Sequence, residues 1–369
     1  MFYQEPSLSV EGRTKSRSWI LVTSLVFDEM YLKHEMGYGH PEKPERLRSA
    51  MRAINETGLL GDRLVQVTPI MPELDEVLEI HDADYIDGIR QRSQRGGGFY
   101  TMDTSANEHT YTAALLAAGG GIQAVDRVMH GEYSNAFVLC RPPGHHAEHS
   151  RAFGFCFINN VAVAAKHLLN VHGLDRVMIV DYDAHHGNGT QNAFYSDSNV
   201  LYVGLHQDGR TLFPGSGFPN ELGEGKGIGY TVNLAMYPGA GDESYRMAFT
   251  EVIEPLSESF KPQFVLVSIG YDGHYRDPLT SLGLTSAGFQ MMNARLNEIA
   301  RTHAHGRIAC FLEGGYDLEV IAMGARNLVE ELTGETVSQY ADRHSESDMC
   351  TKYTRNLITE LVGRLPLLN

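Results

Sequence analysis

The sequence predicts an α/β fold: one domain with a largely parallel sheet and helices on both of its faces. Short apolar runs recur along the 369 residues and are near-continuous rather than alternating. Such runs are typical of parallel strands that are buried on both faces. Amphipathic segments separate the runs, which indicates βαβ units with right-handed crossovers. No internal repeat and no Pro/Ser-rich linker divides the chain, so a single domain is favoured.

The elements follow in order along the chain. Strands are predicted at 20–27, 136–140, 176–181, 200–205, 264–269 and 307–312. Helices are predicted at 44–57, 106–130, 160–171, 242–259, 285–301 and 318–332. Pro44 suits the first turn of the first helix, and Gly334 suits the C-cap of the last. Two Gly-rich polar stretches, 94–107 and 207–229, are predicted loops, and loops after parallel strands are where such folds place their sites.

Composition restricts the class of protein. Hydrophobic residues make up 42% and charged residues 21%, which is typical of a soluble globular protein. The net charge of −16 argues against direct binding to nucleic acid or to an anionic membrane. The four cysteines show no C-x-x-C spacing, so we expect reduced thiols and a cytoplasmic location. Residues 1–18 are expected to be a flexible leader before a single domain at 19–369.

The stretch VDYDAHHGNGT, residues 180–190, places carboxylates and imidazoles directly after a predicted strand. Burying charge is costly unless it is paired or bound to a metal. Asp183 and His185 share one face of an extended segment, and Asp272 follows another apolar strand. Three protein ligands with an open position describe a catalytic zinc site, although this donor set also suits Fe²⁺, Co²⁺ or Mn²⁺.

A second pair of histidines, His145 and His146, lies in RPPGHHAEHSRAFGFCFINN, residues 141–160. Adjacent histidines cannot both bind one metal in the simplest geometry, so they suit acid–base work beside it. Each would need a partner to fix its tautomer, and Asp181 and Asn188 are the natural candidates. IGYDGHYRDPL and LEGGYDL, which begin at residues 269 and 312, also place polar groups where a strand ends.

Together, these four motifs resemble those of the histone deacetylase family, which has the arginase-deacetylase fold with about eight strands. HPEKPERL at 40–47 and LFPGSG at 212–217 resemble family segments as well. The resemblance extends from about residue 20 to about residue 335. It implies a zinc-dependent amide hydrolase that removes acyl groups, most simply acetyl, from lysine side chains of proteins or peptides.

The resemblance also implies residue roles. The implied metal ligands are Asp183, His185 and Asp272, with Zn²⁺ expected and Fe²⁺ or Co²⁺ as alternatives. The implied catalytic residues are His145, His146, Tyr316, Asp181 and Asn188. The implied walls of an acyl-lysine tunnel are Phe155, Phe213, Gly154, Leu279 and Gly315. A structural K⁺ near Asp181 and His185 is implied too, and Arg46 would lie near the foot of the tunnel unless it only forms an ion pair on the helix surface.

Within this scheme His146 acts as base and Tyr316 donates to the developing oxyanion. An amide partner stabilises an imidazolium less than a carboxylate does, so Asn188 should favour a neutral His146. Polyamine-specific family members place an acidic residue directly after the Asp-Pro of this loop. Here Leu279 follows Asp277 and Pro278, which favours acyl-lysine peptide as substrate.

Three alternatives stay open at this point. One is an acylpolyamine or small-amide deacetylase that uses the same site. Another is a non-catalytic acyl-lysine-binding or acetoin-utilisation regulatory protein, although the intact Tyr316 and metal ligands speak against it. The third, a binuclear manganese hydrolase of the arginase type, would need more carboxylates in the motifs at 181–190 and 272 than the sequence has.

Overall fold

The computed structural model describes residues 21–369, so the predicted leader at 1–18 lies outside the described residues. The strands are β1 Thr23–Val26, β2 Leu64–Val67, β3 Gly97–Phe99, β4 Ser105–Asn107, β5 Asn135–Val138, β6 Val177–Asp181, β7 Val200–Gln207, β8 Thr231–Met236, β9 Phe264–Ile269 and β10 Ile308–Leu312. The helices are α1 Glu45–Asn55, α2 Leu74–Leu78, α3 Ala83–Gln94, α4 Thr110–Met129, α5 Asn160–Asn170, α6 Asn188–Phe194, α7 Asp242–Ala248, α8 Glu254–Phe260, α9 Ser286–His303, α10 Leu318–Thr333 and α11 Asp348–Val362.

Eight strands form one parallel sheet in the order β2-β1-β5-β10-β9-β6-β7-β8, and β3 and β4 form a separate hairpin. Every residue of the six strands from β5 to β8 in this order is buried. Burial of both faces requires a cover of helices on each side. The predicted class, a single α/β domain with a parallel sheet flanked by helices, is therefore confirmed.

All six predicted strands are present, with ends that differ by up to three residues. The sheet has two more strands, β2 and β8, which lie at its two edges. The sequence LVQV of β2 and the Asn within β8 interrupt the apolar runs on which the prediction relied. The helix predicted at 242–259 is divided, because a π-helical stretch at Phe249–Ile253 joins α7 to α8.

The predicted loop at 94–107 contains the hairpin of β3 and β4. Four helices were not predicted: α2, α3, α6 and α11. No helix within residues 21–369 is long and apolar enough to cross a membrane.

The order of the strands explains where the four motifs meet. Each motif follows one strand: 141–160 follows β5, 312–318 follows β10, 269–279 follows β9 and 181–190 follows β6. These four strands are neighbours in the middle of the sheet and all point the same way. Motifs that are far apart in the sequence are thereby brought to one edge of the sheet, the carboxyl edge.

Candidate active site

Three side chains at the carboxyl edge form a cluster of metal-type donors: Asp183, His185 and Asp272. Their ligand atoms lie within 4.8 Å of one another. His185 Nδ1 is 3.1 Å from Asp183 Oδ1 and 2.9 Å from Asp272 Oδ2. Both carboxylates are fully or almost fully buried. The structure thus brings together the three residues that the sequence predicted as metal ligands.

Backbone N–H groups orient both carboxylates of this cluster. Gly314 N donates to Asp183 Oδ2 at 2.7 Å, and Ala184 N donates to Asp272 Oδ1 at 3.0 Å. The other oxygen of each carboxylate is therefore the one that faces His185. Outer-shell hydrogen bonds of this kind are the usual means by which proteins aim metal ligands.

Charge also fits the cluster to a divalent cation. Two buried carboxylates face one imidazole, so the protein groups alone leave negative charge in a buried region. Burial by itself would lower the pKa of His185, but the hydrogen bonds to Asp183 and Asp272 raise it to about 10. The cluster therefore holds a positive charge strongly, as a proton on His185 or as a metal ion with two oxygen donors and one nitrogen donor.

His145 and His146 lie beside this cluster, with ring centroids 4.0 Å apart. His145 Nδ1 is 3.0 Å from Asp181 Oδ2, and His146 Nδ1 is 2.8 Å from Asn188 Oδ1. Both predicted partners are thus in contact with the predicted histidine. In each pair Nδ1 faces the partner, which leaves Nε2 to face elsewhere.

The two rings differ in charge. Burial would lower the pKa of His145, but the carboxylates of Asp181 and Asp183 raise it to about 10. Burial and the charges of His145 and His185 hold the pKa of His146 well below its usual range. A neutral His146 agrees with the sequence analysis, but the main cause is burial, since the hydrogen bond to Asn188 raises the pKa.

A pocket of about 200 Å³ opens over these groups. Its lining residues are Asp103, Pro143, His145, His146, Gly154, Phe155, His185, Leu212, Phe213, Leu279, Gly314 and Tyr316. Phe213 packs edge-on against His146 with centroids 5.2 Å apart, and Phe155 packs edge-on against Tyr316 at 6.0 Å. Gly315, expected in the tunnel wall, is not among the lining residues, whereas its neighbour Gly314 is.

Only glycine fits at position 154, because the neighbouring side chains leave no room for a Cβ. A Cβ at this position would come within 2.3 Å of His146 Cδ2 and 3.0 Å of Phe213 Cε1. Its φ of +52° also lies in the left-handed region, as does the φ of +69° at Phe155. A non-glycine residue in this region is uncommon, and such strain is concentrated at functional sites.

Arg46 lies below Tyr316 and is fully buried. Its guanidinium carbon is 5.0 Å from the centroid of the Tyr316 ring, and its Nε donates to Gly315 O at 2.7 Å. It also forms an ion pair with Glu42 at 3.1 Å, and Glu42 in turn pairs with Arg141. The alternative that Arg46 forms only a surface ion pair is therefore wrong.

Two carboxylates beside the histidine pair were missed by the sequence analysis. Buried Glu313 accepts from the backbone N–H of Gly144 at 2.7 Å and of His145 at 3.1 Å. Glu148 accepts from Asn188 Nδ2 at 2.8 Å. This bond turns Asn188 Oδ1 towards His146, so Glu148 fixes the tautomer of the ring. Both residues lie inside quoted motifs, but only the fold shows what they contact.

The chain is similar to known proteins of one family. It matches the family model of the histone deacetylase domain over residues 40–332. It is 46% identical over 300 residues to a probable deacetylase of Archaeoglobus fulgidus, with 81% of this chain and 82% of that protein covered. It is 36% identical over 330 residues to a histone deacetylase-like amidohydrolase of Pseudomonas aeruginosa, with 85% and 86% covered.

The crystal structure of the HDA15 HD domain is also similar, with a TM-score of 0.86 at 34% identity and coverage of 95% of this chain and 96% of that one. A parallel α/β sheet with this cluster at its carboxyl edge defines a hydrolase of the deacetylase class. The chain belongs to the histone deacetylase family. Membership supports hydrolytic removal of acyl groups as the class of reaction.

Proposed function

We propose that this protein is a zinc-dependent deacylase that removes acyl groups, most simply acetyl, from lysine side chains of proteins or peptides. One observation carries the proposal. A single pocket of about 200 Å³ has the histidine pair and His185 at its base, Tyr316 beside them, and aromatic walls above. Each of these groups has a defined task in the hydrolysis of an amide.

In this proposal Asp183, His185 and Asp272 hold the metal ion. A bound Zn²⁺ would supply Lewis-acid polarisation of the acyl carbonyl and would make a water molecule more acidic. The donor set of two carboxylates and one imidazole leaves Fe²⁺ or Co²⁺ as alternatives. A structural K⁺ near Asp181 and His185 remains a prediction from the family resemblance.

His146 is proposed as the group that moves the proton. A base must be neutral before the reaction, and burial keeps the pKa of His146 low. It would take a proton from the attacking water and later give it to the leaving amine. His145, held by Asp181, would carry positive charge next to the reacting atoms, where negative charge develops.

Tyr316 is proposed as the donor to that negative charge. Burial holds the pKa of its hydroxyl well above the usual value, so the hydroxyl keeps its proton. Loss of one oxyanion donor typically lowers the rate by about 10²–10³. Phe155 and Phe213 would flank the aliphatic part of a lysine side chain, which needs an apolar, narrow passage.

The mouth of the pocket bears on the choice of substrate. Leu279 lines it and is 37% exposed, so this position offers an extended substrate an apolar contact. We therefore propose acyl-lysine peptide rather than acylpolyamine as the preferred substrate. The acidic Asp103 also lines the pocket, and it keeps acylpolyamine as the second candidate because it would attract a cation. A cytoplasmic location remains a prediction.

The test is hydrolysis of an acetyl-lysine peptide and an acetylpolyamine, side by side, by the purified protein. We expect cleavage of the peptide, loss of activity with a chelator, and recovery with Zn²⁺. Tyr316→Phe should lose about 10²–10³ in rate. Tyr133→Phe, a half-buried tyrosine next to β5 at the opposite edge of the sheet, is the matched control and should keep full activity.

Preference for the polyamine would overturn the proposed substrate but leave the metal mechanism standing. Activity that survives the chelator and Tyr316→Phe would overturn the mechanism itself.

A further inference from the structure

A second cluster of metal-type donors lies at the opposite edge of the sheet. Helices α4 and α5 lead into the starts of β5 and β6, so both end at the amino edge of the sheet. Asp126 lies in the last turn of α4, His167 lies in the last turn of α5, and His172 follows α5 directly. The ligand atoms of these three residues lie within 4.8 Å of one another.

Both histidines direct Nε2 at the same carboxylate oxygen. Asp126 Oδ1 is 2.8 Å from His167 Nε2 and 2.6 Å from His172 Nε2. Zinc–ligand bonds of about 2.0–2.2 Å in a tetrahedron place ligand atoms roughly 3.3 Å apart. The two distances from Asp126 Oδ1 would therefore have to lengthen by only about 0.5–0.7 Å to admit an ion. The side chains of Asp126 and His172 are 34% and 12% exposed, so solvent can reach a fourth position.

A second carboxylate faces the other nitrogen of His167. Glu76 Oε1, on α2, is 2.9 Å from His167 Nδ1, yet the contact is not aligned as a hydrogen bond. Carboxylate oxygens thus face both nitrogens of a ring that is more than nine-tenths buried. A neutral imidazole has one N–H and can satisfy only one of them. The ring must therefore carry an extra proton, or its Nε2 must bind a cation while Nδ1–H faces Glu76.

The second possibility is the arrangement that metal sites use. A metal-binding histidine almost always donates its other N–H to a carboxylate or carbonyl, which fixes its tautomer. Gly173, with a φ of +64°, turns the chain directly after His172. Further acidic groups, Asp75 and Glu79, lie with Glu76 and His167 around a cavity of about 160 Å³, whereas one lysine, Lys166, lines it.

We propose that Asp126, His167 and His172 form a second divalent-cation site, for Zn²⁺ or a similar ion that prefers imidazole, separate from the candidate active site. The ion ties the end of α4 to the end of α5 and, through Glu76, to α2. Its task is structural, because the site lies at the amino edge of the sheet, away from the pocket and its catalytic groups.

Metal content tests this proposal independently of activity. The full chain is stripped with a chelator, reloaded with Zn²⁺, passed through metal-free buffer and analysed for bound zinc. We expect two equivalents in the unmodified protein and one in both His172→Ala and Asp126→Asn. The second variant keeps the shape of the side chain, so it covers the case in which the alanine variant does not fold. Both variants should keep the hydrolytic rate.

His303→Ala is the matched control, since His303 is also a helix-end histidine beside a carboxylate, Glu258, at 3.4 Å. It should keep two equivalents. One equivalent in the unmodified protein, or two in both variants, would overturn the proposal. The cluster would then be a hydrogen-bonded His–Asp–His network with a protonated His167. Loss of the site without loss of activity would also separate this result from any failure of the proposed function.

Discussion

The cluster of Asp183, His185 and Asp272, which meets the pocket through His185 and forms its floor region, differs from the mouth of the pocket, where Asp103 and Leu279 lie. At the floor, each carboxylate is buried and accepts a hydrogen bond from a backbone N–H in the turn that follows a strand. At the mouth, Leu279 is 37% exposed, and Asp103 lies in the loop between β3 and β4. The difference teaches that short turns anchored to the sheet hold the proposed metal ligands, whereas longer loops carry the side chains that select a substrate.

The largest effect is expected at the floor. Asp272→Asn keeps the acceptor for Ala184 N but removes the charge that faces His185. We expect bound zinc at the active site to fall and the rate to drop by at least about 100-fold, because loss of an outer-shell partner alone costs about 10–100-fold. Asp87→Asn, on the exposed side of α3, is the control. An Asp272→Asn variant that keeps its zinc and its rate would contradict the assigned ligands.

The wall between floor and mouth is tested by Gly154→Ala. The new methyl group would come within 2.3 Å of the His146 ring, so the ring must move. A displacement of about 1 Å at a catalytic group can cost about 100-fold in rate. The measurement is kcat together with the melting temperature.

Gly58→Ala is the matched control for this variant. Gly58 has a φ of +72°, but a Cβ there would meet nothing within 4 Å. It should lose stability from backbone strain and keep its rate. If both variants lose rate equally, the contact with His146 is not the cause.

The residues of the floor could be predicted from the sequence, whereas those of the mouth could be predicted only in part. The four motifs follow strands of strongly apolar sequence, and such strands are the easiest to recognise. Because neighbouring parallel strands end at one edge, Asp183, His185 and Asp272 could be placed together before the fold was known. The pairing of His146 with Asn188 came from the family resemblance, and the structure brings these residues into contact.

Other features depend on contacts that the sequence does not show. Glu148 acts through a hydrogen bond to Asn188, 40 residues away. The sequence around Arg46 is that of an ordinary helix. Its burial becomes evident only in the fold, where the chain that follows β10 covers the Arg46 side chain. The edge strands β2 and β8 have weaker apolar patterns because each of them pairs with only one neighbouring strand.

The buried ion pairs of Glu42 with Arg46 and Arg141, which His34 joins at 3.6 Å from Glu42, should make stability depend on pH. Burial and, more weakly, Arg141 lower the pKa of His34 to about 3. Burial would raise the pKa of Glu42, but Arg141 and Arg46 lower it to about 2. Both folded-state pKa values lie below those of the unfolded chain. At a pH between the two values of each group, the unfolded chain therefore binds more protons than the folded chain. The stability that these two groups contribute is therefore complete above about pH 6.5 and is lost as the pH falls towards 3, first through His34 and below about pH 4.5 also through Glu42.

Urea unfolding between pH 8 and pH 4 measures this loss. His34→Gln removes one titrating group, so its free energy of unfolding should fall less between pH 6.5 and pH 4.5. His109→Gln, at a side chain that is 38% exposed, should follow the unmodified protein. Parallel curves for His34→Gln and the unmodified protein would contradict the assigned role of His34.

The smallest effect is expected at the mouth, and it tests whether this region selects the substrate. Leu279→Glu adds a carboxylate to the lining that already contains Asp103. An exposed ion pair is worth at most about 1 kcal/mol, so the ratio of kcat/KM for acetylpolyamine over acetyl-lysine peptide should rise about fivefold. The rise should shrink at high salt, because exposed charges are screened.

Leu279→Gln has a similar shape without the charge and should leave the ratio nearly unchanged. An equal shift in both variants would mean that loss of an apolar contact with the peptide, not attraction of a cation, changes the preference. No shift in either variant would mean that position 279 does not meet the substrate, and selection would then depend on Asp103 and its hairpin loop. A change in the ratio with an unchanged response to the chelator would show that the mouth selects without disturbing the floor.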